Sequence, residues 1–269
     1  MGASVGHYKN KITELAGVDY IDNEVYGATI RTEVGQAANL FYGYQTEGVF
    51  STTADALAAG QNGEALYMMS ENGREKMYFG AGDMHFTDMN GDGQISEADR
   101  VVIGDPNPDI YGNIFTTVGF KRFKLDVNFN YSLGNDVYNY MRSQLEGGSR
   151  FMNQTNAMNR RWQAEGQVTD MPRITFQDPM GNARFSDRWS EDGSYLRLKT
   201  VTLSYTLPLK SEYIQGLQFW VQGNNLLTFS KYLGSDPEFS MTTAVIGQGI
   251  DLGQLAQSRS SVAGVKINL

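Results

Sequence analysis

The sequence predicts an all-β protein of long antiparallel strands, and three observations predict it. Residues 124–133 alternate without a fault, with Leu125, Val127, Phe129, Tyr131 and Leu133 on one face and Lys124, Asp126, Asn128, Asn130 and Ser132 on the other. Just upstream, Ile110, Gly112, Ile114, Thr116, Val118 and Phe120 form a second apolar row, separated from the first by Lys121 and Arg122, which is the pattern of a tight hairpin. Finally, short basic or polar turns alternate along the chain with connections tens of residues long. Arms of about ten residues suit a tilted strand crossing a bilayer better than a typical soluble strand. The hairpin alone leaves a membrane barrel and a soluble β-sandwich both open. The segregation of loop lengths favours the barrel.

In chain order, residues 8–13 read as the end of a strand whose earlier part is short or missing. Residues 35–50 are rich in glycine and aromatics, and a helix-compatible stretch over 54–59 is stopped by Gly60, so this region reads as a long structured loop. After the hairpin, residues 134–194 are polar and irregular, with one helical candidate in which Met158 and Trp162 stand four apart and pack the loop onto its neighbour. Strand character returns over 195–207, where Val201, Leu203, Tyr205 and Leu207 share a face. Arg197 and Lys199 fall in that apolar phase, which predicts a bulge or a strand that has left the membrane. Pro208 ends this strand, residues 210–216 connect, and Leu217, Phe219 and Val221 begin the next, with Trp220 in its polar row. A last loop over 234–260 leads to Ala263, Val265, Ile267 and Leu269, alternating with Gly264, Lys266 and Asn268.

Composition narrows the function classes. The 269 residues can bury a core in one domain or two. A mean hydropathy below zero, without an apolar run near the length of a membrane helix, excludes a helical span but not a barrel with a polar lumen. The 15 tyrosines, 14 phenylalanines and 30 glycines suit β-structure with aromatic girdles. A net charge of −8 without a basic patch argues against nucleic acid. Without cysteine there are no disulfides, thiolate catalysis or cysteine zinc sites. The polar residues after Met1 lack a signal-peptide pattern, so a barrel protein starting here is expected to be a fragment.

Residues 88–99 have the spacing of an EF-hand-like calcium loop. Asp88, Asn90 and Asp92 would supply side-chain oxygens, Gly93 the sharp turn, Gln94 its carbonyl and Ser96 a water-mediated contact. Asp99 stands where a longer glutamate usually chelates and should bind more weakly or one-sidedly. The bland alternative is an acidic loop of Asx turns without an ion. A calcium ion here would stiffen an exposed loop. Residues 2–6, Gly-Ala-Ser-Val-Gly, match a nucleophile-elbow pattern, but no strand precedes them, only His7 and His85 could serve as base, and no oxyanion loop is evident. His85 reads as an exposed loop residue. Neither a metalloprotease helix nor a nucleotide fingerprint is present, and no carboxylate pair is nominated, so no catalysis is expected.

Several short stretches follow one another in a characteristic order: residues 8–13, Phe41-Tyr42-Gly43-Tyr44 with Gly48-Val49-Phe50, Gly82-Asp83 leading into 88–99, and Gly104 before Pro108. Residues 193–199, Asn224-Asn225-Leu226 and Asp236-Pro237-Glu238 continue the series. In order and spacing these stretches resemble the SusC/RagA-type TonB-dependent outer-membrane transporters, and the likeness runs from about Tyr8 to Leu269. Departures are Ala37 after Gln36 in place of proline, Leu255-Ala256 in place of Tyr-Pro, and Leu269 in place of a terminal aromatic, which would weaken recognition by the assembly machinery.

The resemblance implies that residues 1–269 are the carboxy-terminal part of a barrel of about 22 strands. This part is an antiparallel up-and-down transmembrane portion of about six strands with long extracellular loops, residues 84–105 forming the calcium-loop insertion. Nothing resembles the family's plug or TonB-contacting segment. Counting back from a periplasmic carboxy terminus puts the calcium-like loop outside, and Lys124, Asp126, Asn128 and Asn130 are candidates to face the lumen. The implied partners are a SusD-like surface lipoprotein, the TonB complex through segments this chain lacks, outer-membrane lipid, and an oligosaccharide or peptide cargo. A soluble calcium-binding module for glycans or proteins is the alternative.

Overall fold

A computed structural model of the protein describes residues 1–60, 63–209, 214, 216–238 and 245–268. Its frame is a six-stranded antiparallel meander in chain order: β1 (Gly2–Gly6), β2 (Ile110–Phe120), β3 (Phe123–Leu133), β4 (Tyr195–Pro208), β5 (Gly216–Ser230) and β6 (Ser260–Asn268). The β2–β3 hairpin closes through Lys121 and Arg122 as the alternation predicts, with Lys121 left-handed at φ 54°. The two apolar rows pair across it, Ile114 with Phe129 and Val118 with Leu125. The phase break in β4 is a bulge. Thr200 pairs with Asn128 and Leu198 with Phe129, which leaves Lys199 outside the ladder. Leu196 and Leu198 thereby join the apolar face and Arg197 joins the polar one.

The first strand corrects the sequence reading. The chain pairs over Gly2–Gly6, while residues 8–13 lie outside any strand. Ser4 sits mid-strand with its hydroxyl donating to Asn113 Oδ1 at 2.8 Å, so the Gly-Ala-Ser-Val-Gly motif is strand and not an elbow. Trp220 is accommodated by Gly264, its partner on β6, where a Cβ would meet the indole at 2.6 Å. Part of the 210–216 connection and Leu269 fall outside the described residues.

The frame holds almost none of the buried apolar core. Val118, Phe120, Phe219, Phe229 and Val265 are exposed on its apolar face, while the buried clusters lie in the long connections. One cluster gathers Phe50, Leu66, Phe79, Met84, Phe86 and Ile95, and the other Ile30, Phe41, Tyr138, Trp189 and Ile250. All three long connections, residues 7–109, 134–194 and 231–259, leave the same end of the meander, and the β2–β3 and β4–β5 turns occupy the other. Together the connections build a cap. It includes a four-stranded sheet (Tyr20–Val25, Ala28–Glu33, Leu40–Gly43, Val101–Gly104) and a three-stranded one (Ser190–Asp192, Asp136–Asn139, Ile250–Asp251).

Local signals explain the cap's helices in part. The helix Thr53–Ala59 has a capping box between Thr52 and Asp55 and stops at Gly60, as read. The Met158 region forms only a 3-10 turn, Asn156–Arg160, with Met158 buried and the Trp162 indole donating to Ser51 O at 3.1 Å, so the pair does fasten one loop to another. The helix Tyr140–Glu146 was not legible. It buries Ser143 and Glu146, so it carries no apolar stripe.

Candidate functional site: the polar face and its strap

Lys124, Asp126, Asn128 and Asn130 share the polar face of β3, opposite the row Leu125–Leu133 and beside Thr117 and Asn113 of β2. They split into two environments. Near the short turn, Asp126 is held by Lys124 at 2.9 Å and by the Thr117 hydroxyl at 2.5 Å, both in the open. Farther along, Asn130 donates to Glu238 Oε1 at 3.0 Å, under the last long connection.

That connection is folded down onto the polar face like a strap. Arg197, 2% exposed, is hydrogen-bonded to Asp236, and its Nη1 stands 2.8 Å from Glu238 Oε2, in charge contact but off the hydrogen-bond direction. Lys199 reaches Gln257 Oε1 at 2.7 Å and Glu238 at 3.5 Å, and the Gln257 N–H donates to Asp236 Oδ2 at 3.0 Å. The far end is tied as well. Ile250–Asp251 pairs in parallel with Tyr138 and Asn139, and the Tyr232 hydroxyl donates to Asp251 at 2.6 Å. Burial and the neighbouring carboxylate push that phenol above its ordinary range.

Asp236 balances opposing effects. Burial alone would raise its pKa, but Arg197 and the N–H groups of Gln257 and Glu238 outweigh it, so the carboxyl lies below its usual range. A lowered native pKa gives stability that is present above the unfolded value and lost as pH falls through the lowered one. The strap should therefore hold through mild acid and loosen only below the ordinary carboxylate range. A spin label at Ser235→Cys, in a chain without cysteine, is expected to stay immobile at about pH 5 and gain mobility only in stronger acid.

Residues 88–99 form a closed acidic loop. Asp88 accepts from the N–H of Gly91 at 2.8 Å and Gly93 at 2.7 Å, Asn90 from Asp92 at 2.9 Å, and Asp92 from Gln94 at 2.7 Å. Gly93 is left-handed at φ 80°, as a sixth position requires. Asp99, fully buried, accepts from Met89 N–H at 3.0 Å and Ser96 N–H at 2.8 Å, which joins the two ends, while Ser96 caps the turn Glu97–Asp99. Gln94 bridges to Tyr67, tying the loop to the hairpin Tyr67–Met69 and Lys76–Tyr78. Among the described residues no group of three or more histidine, cysteine, aspartate or glutamate side chains is arranged to hold a metal ion. His85 departs from the reading as an exposed loop residue: it lies in the strand Met84–Phe86, stacked on Phe50 at 4.3 Å, and burial lowers its pKa.

No family model matches the chain. Individual proteins do. A TonB-dependent receptor of Formosa agariphila, P3, is 31% identical over 96% of this chain, and a second from the same organism, P26, is 31% identical over the same share. Over nearly its whole length the chain is similar to TonB-dependent receptors. The receptor SusC of Bacteroides thetaiotaomicron is 23% identical over 96% of the chain. Among solved structures, the RagAB peptide transporter superposes with a TM-score of 0.75 at 23% identity over 98% of the chain, and the RagAB peptide importer in its closed-closed state with 0.72 at 25%. The chain spans about a quarter of the length of these receptors: 25% of P3 and 26% of the RagAB chain.

The structure brings Asn130 together with residues that sequence reasoning did not nominate as a site. Arg197 and Lys199 stood out as a phase break, and Asp236-Pro237-Glu238 as a motif shared with the SusC/RagA receptors. Their partnership across 39 residues had no local signal.

Proposed function

We propose that this chain is the carboxy-terminal portion of an outer-membrane TonB-dependent importer barrel. The observation that carries this reading is the meander, whose apolar face is exposed while every long connection leaves one end. A bilayer supplies the apolar medium that such a face needs, and the opposite row from Lys124 to Asn130 then lines a lumen. The capped end faces outward, where a SusD-like lipoprotein docks, and the cargo is an oligosaccharide or peptide. Import through such a barrel is energised by a TonB complex. The chain catalyses no reaction.

The reading is tested by blotting fractionated native cells with an antibody against residues 84–105. A band several times larger than 29.9 kDa in the outer membrane is expected. A soluble band at 29.9 kDa would overturn it.

The acidic loop belongs to the same reading, as a calcium-stiffened brace of the outer surface. The spacing of Asp88, Asn90 and Asp92 and the left-handed Gly93 support it, with Gln94, Ser96 and Asp99 completing the set. Calcium titration of the full-length protein followed by calorimetry should lose the binding heat in the Asp88→Ala, Asp92→Ala double variant, together with lipoprotein association. Unchanged heat and association in that variant would sink the brace.

A further inference from the structure

Near its short-turn end, the apolar face carries a hollow of about 430 Å³. Two cross-strand rows bound it. Phe123, Tyr205, Phe219 and Val265 lie in register on one side, and Leu203, Val221 and Ala263 on the other. Ala263 is the smallest of these side chains, and Gly264 beside it also lines the hollow. The Phe123 and Tyr205 rings, 4.8 Å apart, form one wall. A flat lipid-facing sheet needs no such depression.

Charge lies at the rim. The β2–β3 turn consists of Lys121 and Arg122, both exposed. The Lys121 ammonium is on the apolar side, 5.3 Å from the Phe120 ring centre, and Phe120 pairs directly with Phe123 of the hollow. Among the described residues no acidic side chain lines the hollow. An apolar hollow with cationic residues beside one end matches a molecule with a long apolar tail and a negative head. Neutral amphiphiles would leave the cation without a partner.

We propose that this hollow holds one acyl chain of an anionic glycerophospholipid, with its phosphate at Lys121 and Arg122. The proposal rests on the membrane reading above, which puts the short-turn end in the inner leaflet, where such lipids are. Bulk lipid contacts the whole apolar face, whereas this lipid is retained at one place because tail and phosphate are held together.

The test uses the full-length receptor purified in mild detergent, with phosphatidylglycerol or phosphatidylethanolamine added and retained lipid counted by native mass spectrometry. One phosphatidylglycerol is expected to survive washing that strips the others. Filling the hollow by Ala263→Phe, or removing charge by Lys121→Gln with Arg122→Gln, should each reduce its retention about tenfold. Heat-modifiable migration on gels verifies that each variant is folded. Equal retention of phosphatidylethanolamine, or undiminished retention in both folded variants, overturns the lipid site while leaving the membrane reading intact. Failure of the unmodified receptor to float with phospholipid vesicles overturns both.

Discussion

Arg197→Ala is expected to cost about 3–5 kcal/mol, because it strips the cation from two carboxylates folded onto the polar face of the frame. Asp236 is 3% exposed and, among the described residues, would keep only the N–H groups of Glu238 and Gln257, which are too few to compensate a buried charge. The strap, not the frame, should respond. Backbone exchange over residues 245–258 should accelerate by orders of magnitude, while β3 and β4 keep their ladder and exchange as before. Equal acceleration in the strands would show that Arg197 supports the whole sheet. A companion variant separates charge from shape: Arg197→Met with Asp236→Leu and Glu238→Leu removes all three charges and should recover much of the loss, since apolar replacements of buried ion pairs are often neutral or better. Asp236→Asn should fall between them, since the amide keeps an acceptor oxygen for Arg197.

The frame was legible because a strand between water and an apolar medium must alternate, and each of β2 to β6 shows that alternation directly. Even the break at Arg197 and Lys199 was informative, since an extra residue is what shifts two cationic residues out of phase. The cap was not legible for the opposite reason. Its strands are mostly three to six residues, too short for a period to register, and its core is assembled from segments far apart, such as Ile30, Tyr138 and Ile250. Loop 88–99 could be read as a closed unit because its contacts are local, from Asp88 to Gly93 and from Met89 to Asp99. The strap could not, because its anchors on β3 and β4 are supplied from 39 to 108 residues away. Sequence pattern therefore identified the polar row but not which half of it is covered.

Arg173→Ala should have the largest effect within the cap. Asp83 is fully buried between Gly82, whose left-handed backbone packs against Trp162, and the strand Met84–Phe86 that leads into the acidic loop. Its carboxylate takes both prongs of the Arg173 guanidinium at 2.8 Å, Asn182 Nδ2 at 3.0 Å and the Gly80 N–H at 2.9 Å. Removing Arg173 leaves a charge in the interior with two neutral donors. The cost is about 2–4 kcal/mol, below the upper limit for a buried pair because Arg173 is 40% exposed and water can follow it in. Arg173→Lys should recover only part of this, since an ammonium cannot make the two parallel bonds of the fork. Asp83→Asn should rescue Arg173→Ala by removing the charge that needs a partner. Thermal unfolding of the full-length protein, followed through near-ultraviolet signals of the cap's aromatics, would show the order wild type, Arg173→Lys, Arg173→Ala. A double variant no more stable than Arg173→Ala would mean that the buried charge is not the source of the loss, since the Arg173 contacts with Gly82, through its N–H and Cβ, persist in alanine.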